Sequence, residues 1–207
     1  MSLKIFGIVL IILPAVLHAQ KNEDSDSTNW SGSAAAYYYF IPGEEIHPTI
    51  IGCADYKSLH LEARYNYEDI NTASVFAGYT WEKDGKLSLT VTPMAGIAIG
   101  NSGGILPGLE CGASYSKINF YSENEYMLSF NGKEDNFFYS WTQLSTDIFK
   151  NAQAGVLAQT LRWYKTSFDI QRGVYAEYSV GNFTFDAYYF NPFTKYDFAV
   201  ASVTVNF

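Results

Sequence analysis

The sequence has little cysteine and no cysteine motif. Its 207 residues include only two cysteines, Cys53 and Cys111, which belong to no CxxC motif and adjoin no pair of histidines. This excludes the common zinc and redox motifs, so we expect two isolated thiols on strands and no cofactor. A disulfide between them is the alternative in an oxidising compartment.

Long apolar runs are also missing. The longest, from Ile5 to Leu17, has thirteen residues, and a bilayer-spanning helix takes about 20. With Lys4 before it and Ala19 after it, this run predicts an export signal over residues 1–19; a retained anchor is the alternative. Residues 20–31, rich in Asp, Glu, Ser and Asn, are predicted to form a flexible lead-in.

Positive charge is scarce. The chain has 13 Lys+Arg against 21 Asp+Glu and a net charge of −8. Without the predicted signal, which contains Lys4, the balance is 12 − 21 = −9. Nucleic-acid binding needs clustered Lys and Arg, so nucleic acid is excluded as a partner.

Aromatic residues, in contrast, are abundant: 17 Tyr, 15 Phe and 4 Trp. They favour strands, and in a membrane barrel Tyr and Trp suit the two water–lipid boundaries. A soluble β-protein with an aromatic core would show the same excess. Segments rich in Val, Ile, Thr, Tyr and Phe, closed by Gly, Asn, Asp or Lys, predict twelve strands. These cover residues 32–41, 48–54, 58–68, 73–82, 86–99, 106–116, 118–130, 136–149, 153–164, 168–180, 182–191 and 196–207.

The predicted connections alternate between short turns and longer loops. Short turns on one side of the membrane and longer loops on the other are typical of membrane barrels. With both termini on one side, the number of strands must be even. We therefore predict an all-β fold, a closed antiparallel transmembrane β-barrel over residues 32–207, with twelve strands preferred. Ten or eight strands would result if a pair such as 48–54 and 58–68 formed one bent strand.

The segment from Ser58 to Glu68 alternates most regularly. Polar residues such as Glu62 and Arg64 share one face, and Leu59, Leu61 and their neighbours share the other. An arginine facing lipid near the midplane costs about 2–4 kcal/mol, so the polar face must line the interior. The same reasoning over the whole chain predicts a polar lumen cluster. It contains His60, Glu62, Arg64, Asn66, Glu110, Glu123, Glu125, Asp169, Gln171, Glu177 and Asp186, with Arg162 as a further candidate.

Arg172 does not fit this pattern. Strict alternation groups it with the apolar residues Ile170 and Val174, so we expect either a bulge there or a position near the lipid headgroups.

The acidic lumen permits two interpretations. It could pass small polar solutes, with the carboxylates favouring cations or neutral molecules, or its groups could only neutralise one another in a packed interior. Catalysis would have to use Ser58, His60 and Glu62, whose side chains follow one another about 6.5–7 Å apart on a strand face. That spacing is long for an activated nucleophile. His60 and Glu62 lack further ligands, so no metal site is predicted.

The end of the chain carries a resemblance to a known class of proteins. From Tyr196 to Phe207 the residues alternate between apolar and polar and finish on an aromatic. Together with the signal and the Ser58–Glu68 segment, this resembles Gram-negative outer-membrane β-barrels. The resemblance implies an outer-membrane location, contact with outer-membrane lipids, and Phe207 as the signal read by the barrel-insertion machinery. It names no activity.

The leading functional expectation is thus a narrow passive channel for small solutes, or a structural role in the envelope. An outer-membrane lipid-modifying hydrolase and a soluble secreted β-barrel that binds a ligand are the alternatives. An enzyme is the less favoured interpretation.

Overall fold

The structure, a computed structural model, describes residues 30–207 as a set of β-strands and one short 3-10 helix. The predicted signal and residues 20–29 of the lead-in lie outside the described residues. The strands are β1 (Trp30–Phe40), β2 (Pro48–Tyr56), β3 (Leu59–Tyr65), β4 (Thr72–Tyr79), β5 (Trp81–Lys83), β6 (Leu87–Gly100), β7 (Gly104–Tyr115), β8 (Ile118–Ser129), β9 (Phe137–Phe149), β10 (Ala152–Trp163), β11 (Asp169–Val180), β12 (Phe183–Phe190) and β13 (Phe198–Asn206). The 3-10 helix is Lys133–Asp135. No helix among residues 30–207 is long and apolar enough to cross a membrane.

The strands close into a barrel. Each pairs antiparallel with its neighbour, and β1 pairs with β13 from Ser33↔Asn206 to Phe40↔Ala199. Segments β4 and β5 both pair with β6 in one continuous register, so they form a single barrel strand interrupted at Thr80. The barrel thus has twelve strands, and the fold predicted from the sequence is confirmed.

The connections differ between the two ends of the barrel. Where the chain ends at Phe207, two-residue turns join the strands, as at Lys57–Ser58 and Gly181–Asn182. Lys57 and Gly181 adopt positive φ values of 55° and 59°, which such tight turns require. The opposite end carries the longer loops, including 41–47, 66–71, 130–136 and 191–197. By the rule for outer-membrane barrels, the short turns mark the periplasmic end and the loops the outer end.

Strand β3 is shorter than predicted. Asn66 adopts a φ of 58°, which ends the strand at Tyr65, whereas the sequence pattern continued to Glu68. The Asn66 amide donates to the Pro48 carbonyl at 3.0 Å, and its side-chain oxygen accepts from the Asn71 backbone N–H at 2.8 Å. Asn66 therefore holds the outer loop 66–71 in place and lines a cavity among the outer loops.

The outer surface of the barrel is apolar. Exposed aliphatic side chains cover the middle of the strands, as predicted for the lipid-facing positions. They include Val75, Val91, Ile97, Leu109, Leu144, Val156 and Val174. Aromatic pairs lie at the periplasmic end, where the Trp30 and Tyr56 rings are 5.0 Å apart and those of Tyr79 and Trp81 are 4.9 Å apart.

Two apolar clusters fill part of the interior. One lies on β9 to β13 and the other mainly on β4, β6, β7 and β8. The first contains Trp141, Leu157, Tyr175, Tyr188, Phe190, Phe198 and Val200, and the second contains Phe76, Met94, Ala98, Leu106, Met127 and Phe137. A Cβ at Gly96 would lie 2.5 Å from the Phe76 ring, so the glycine makes room for this ring. The lumen is therefore narrower than the strand number alone implies.

Two arginines lie on the outside of the barrel. Arg172 pairs with Ala158 without a register shift and accepts a backbone hydrogen bond from Asn191, where β12 ends at the outer side. Arg172 therefore faces outward without a bulge, close to the outer end of β11. Arg162, a lumen candidate from the sequence, also points outward, with its guanidinium carbon 4.6 Å from the centre of the Phe168 ring. Neither belongs to the lumen.

The orientation of β9 can be tested with two adjacent residues. Leu144 is 48% exposed on the outside, whereas Gln143 lines the interior. Because an arginine facing lipid near the midplane costs about 2–4 kcal/mol, Leu144→Arg is expected to lower the free energy of unfolding by that amount. Gln143→Arg, in the polar interior, is expected to cost less than half as much. Urea unfolding in lipid vesicles measures both, and equal losses would contradict the assigned orientation.

Candidate lumen site

Arg64 lies at the centre of the polar interior. Its side chain has no exposed surface. Nε and Nη2 donate to the two carboxylate oxygens of Glu62 at 2.9 Å each. Nη1 donates to Glu125 Oε2, and Nη2 lies by Glu123 Oε1, both at 2.8 Å. Since Glu123 and Glu125 lie on β8, this one guanidinium joins β3 to a distant strand across the interior.

Two aromatic rings flank the guanidinium. Its carbon lies 4.3 Å from the ring centres of both Tyr67 and Phe76. Tyr67 reaches the interior from the outer loop 66–71 and donates its hydroxyl to Glu123 at 2.9 Å. Glu68 follows it inward and accepts from Ser74 Oγ at 2.6 Å. The loop thus supplies part of the Arg64 cluster, which we define as Arg64, Glu62, Glu68, Glu123, Glu125, Tyr67 and Phe76.

The Arg64 cluster has more acids than bases. Four carboxyl groups surround a single guanidinium, and burial penalises an excess of like charge. Burial raises the pKa of the Glu68 carboxyl, and the hydrogen bond from Ser74 opposes the rise. Burial, helped by Glu123, raises the pKa of the Tyr67 phenol well above its ordinary value. Tyr67 therefore stays a neutral donor to Glu123.

Beside this cluster lies a central cavity of about 360 Å³. Among residues 30–207, no Lys, Arg or His lines it. Five carboxylates do: Glu62, Glu110, Glu123, Glu177 and Asp186. Glu110 accepts from the Tyr121 hydroxyl at 3.2 Å, and Glu177 accepts from the Gln153 amide at 2.7 Å. The cavity is therefore polar and acidic, and two of its five carboxylates, Glu62 and Glu123, are paired with Arg64.

Three tyrosines lie between this cavity and the outer end. Cavities of about 770 and 240 Å³ open among the outer loops. Tyr39 lines all three cavities, whereas Tyr67 and Tyr139 line the central cavity and the smaller outer one. The rings of Tyr67 and Tyr139 meet edge to face, 5.5 Å apart. We call Tyr39, Tyr67 and Tyr139 the tyrosine constriction.

The predicted lumen residues thus divide into groups. Glu62, Arg64, Glu123 and Glu125 belong to the Arg64 cluster, and Glu110, Glu177 and Asp186 line the central cavity only. Asp169 and Gln171 line the larger outer cavity, away from the others. The tyrosines were missed because alternation locates polar lumen residues and does not distinguish an inward aromatic from a lipid-facing one.

His60 lies near the periplasmic end, between an acid on β2 and an acid on its own strand, β3. Its Nδ1 is 2.8 Å from Asp55 Oδ1, and its Nε2 is 3.8 Å from Glu62 Oε2. Cys53 stands opposite Glu62 in the register. Ser58 lies in the turn, where its carbonyl accepts from the Thr80 backbone N–H. Among residues 30–207 no hydrogen bond joins Ser58 to His60, so nothing here supports the hydrolase alternative.

The two cysteines lie on opposite sides of the barrel wall. Both are free. Cys53 lines the central cavity, whereas Cys111 alternates with the inward residues Glu110 and Gly112 and so faces outward. They are the two isolated strand thiols expected from the sequence.

These features define a narrow, twelve-stranded membrane barrel of the outer-membrane type, and solved structures agree. The KdgM porin is 14% identical with a TM-score of 0.64, covering 84% of this chain and 99% of that one. The KdgM porin in complex with disordered oligogalacturonate gives 0.65 at the same identity and coverage. The NanC porin is 12% identical with a TM-score of 0.56, covering 84% of this chain and 98% of that one. No family model and no curated protein matches the sequence. The chain therefore has the fold of small outer-membrane porins, as its sequence predicted, and a soluble barrel is not supported.

Replacing Arg64 tests the role of the Arg64 cluster in stability. Arg64→Met would leave the facing carboxylates without their cation. Breaking a buried ion pair in this way costs about 3–5 kcal/mol, so we expect a loss of that size in the free energy of unfolding, measured by urea titration in lipid vesicles. Arg162→Met, at an exposed position, is the control and should change stability by about 0.5 kcal/mol or less. Similar effects of the two variants would contradict the assigned role.

Proposed function

We propose that this protein is an outer-membrane channel that admits small cations and small neutral polar solutes. The proposal depends on the lining of the central cavity. Five carboxylates line it, and no basic side chain among the described residues does. Rings of carboxylates in a low-dielectric wall raise the local concentration of cations and repel anions. The selectivity follows from this charge.

The size of the solute follows from the packing. The apolar clusters occupy part of the interior, and the tyrosine constriction lies between the central cavity and the outer loops. A central cavity of about 360 Å³ is at the small end of ligand sites. This supports passage of ions and small molecules over polymers.

The negative charge of this lumen does not suit the ligand that is present in one structural neighbour. One KdgM structure contains oligogalacturonate, a chain of sugar carboxylates. The acidic lining of this barrel opposes entry of such a polyanion. The shared fold therefore supports a channel, whereas the side chains favour solutes of the opposite charge.

The proposal also covers how the protein reaches the outer membrane and what surrounds it there. We propose that residues 1–19 are removed as an export signal and that the apolar outer surface contacts outer-membrane lipids. We also propose that the insertion machinery reads Phe207. Its backbone exchanges two hydrogen bonds of 2.9 Å with Gly32, so this residue completes the pairing of the last strand with the first.

A structural role in the envelope is the second candidate. The Arg64 cluster favours it, because a buried network that spans the interior braces the barrel without any transport. Planar-bilayer recordings separate the two: a folded barrel that never conducts would leave only the structural role.

Removing charge from the central cavity tests the selectivity. The test variant is Glu110→Gln, Glu177→Gln and Asp186→Asn together, and the control is Asp84→Asn, Glu134→Gln and Asp135→Asn together. Both raise the net charge by three, but only the first changes the lumen. We expect the cation-over-anion permeability ratio, from reversal potentials in a potassium chloride gradient, to fall in the test variant and to persist in the control. An anion-selective wild type would contradict the proposal.

The tyrosine constriction can be tested on a single strand. Tyr39 points inward, whereas its neighbour Tyr38 points outward and is 40% exposed. Tyr39→Ala removes a ring from the passage and is expected to raise single-channel conductance, whereas Tyr38→Ala should leave it unchanged. If Tyr39→Ala also leaves conductance unchanged, the constriction does not limit flow.

A further inference from the structure

Four side chains form a compact polar patch on the β2–β3 hairpin at the periplasmic end of the lumen. In the antiparallel register Cys53 stands opposite Glu62, and Asp55 stands opposite His60. One ligand atom each from Cys53, His60 and Glu62 lies within 4.8 Å of the other two. A thiol, an imidazole and a carboxylate thus converge on one point beside the central cavity.

The imidazole of His60 is oriented as a ligand would be. Its side chain is 9% exposed, and Nδ1 bonds to Asp55 at 2.8 Å. Nε2 lies on the Glu62 side of the ring, is buried, and has no hydrogen-bond partner among residues 30–207. Glu62 Oε2, at 3.8 Å, is too far for a hydrogen bond. A buried polar nitrogen without a partner is costly, so its position calls for an additional group.

We propose that Cys53, His60 and Glu62 bind a divalent zinc-type cation in the lumen. Thiolate, imidazole and carboxylate are the donors that Zn²⁺ uses, and Asp55 holding Nδ1 is the second partner that zinc-bound histidines ordinarily have. Ligand atoms around tetrahedral zinc are about 3.3–3.7 Å apart. The side chains would therefore move together by about 1 Å, and water from the cavity would complete the coordination.

The surroundings attract such an ion. Glu110 and Glu123 line the same cavity as Cys53 and Glu62, and no Lys, Arg or His among the described residues does. Arg64 donates to both oxygens of Glu62 at 2.9 Å, which fixes the carboxylate in place, and each oxygen keeps a second lone pair for the ion. The proposal concerns binding alone and does not depend on conduction through the lumen.

The test uses Co²⁺, which takes tetrahedral zinc sites and reports thiolate coordination by a charge-transfer absorption band. The full-length folded barrel in detergent is titrated with Co²⁺ and then with Zn²⁺. We expect the wild type to develop the band and Zn²⁺ to remove it. Cys53→Ala should lose the band, whereas Cys111→Ala, which removes the outward thiol, should keep it. Heat-modifiable migration on gels verifies that each variant is folded.

The role of Asp55 gives a separate measurement. As a positioning residue, it should matter for affinity and not for the thiolate band. Asp55→Asn is therefore expected to weaken Co²⁺ binding by about 10–100-fold while the band still forms at saturation. A wild type that shows no band, or a folded Cys53→Ala that binds Co²⁺ with an unchanged spectrum, would overturn the proposal.

Discussion

The burial of one guanidinium constrains the rest of this interior. Moving a charge out of water costs several kcal/mol even after the protein relaxes. Arg64 offsets that cost with three carboxylates at 2.8–2.9 Å and two aromatic rings at 4.3 Å. To place these groups, β3 must face β8 across the lumen, loop 66–71 must fold inward, and Gly96 must leave space for Phe76. The same arrangement leaves an excess of negative charge, which gives the neighbouring cavity its acidic character.

The interior therefore has two parts, which differ in role as well as in position. The Arg64 cluster and the second apolar cluster fill one part, and the other part contains three cavities that share Tyr39 in their lining. Two carboxylates that stabilise the Arg64 cluster also line the central cavity, where a solute would contact them. Stability and the proposed selectivity thus involve overlapping residues, since Glu62 and Glu123 belong both to the Arg64 cluster and to the cavity lining.

Much of the fold could be predicted because lipid-facing positions require apolar side chains, whereas inward positions accept polar ones. An arginine or glutamate facing hydrocarbon is so unfavourable that alternation alone located twelve strands and the inward positions of Glu62, Arg64 and Glu123. What could not be predicted depends on short-range geometry. The left-handed conformation of Asn66 ended β3 early and placed that residue at a cavity among the outer loops. The two-residue turn Lys57–Ser58 set the register that brings Cys53 beside His60. The sequence predicted a turn one residue longer, over residues 55–57, and so did not predict that Cys53 lies beside His60. The sequence alone therefore indicated too few ligands for a metal site.

The seam between β1 and β13 has a consequence for assembly. It pairs Ser33 with Asn206, which are 206 − 33 = 173 positions apart in the chain. Closing a loop of that length costs about 4–5 kcal/mol of chain entropy before the seam itself contributes. Until it forms, two strands present unpaired backbone groups that hydrocarbon does not tolerate. A partly assembled barrel therefore has no stable place within the bilayer, and the topology favours folding that completes in a single cooperative event.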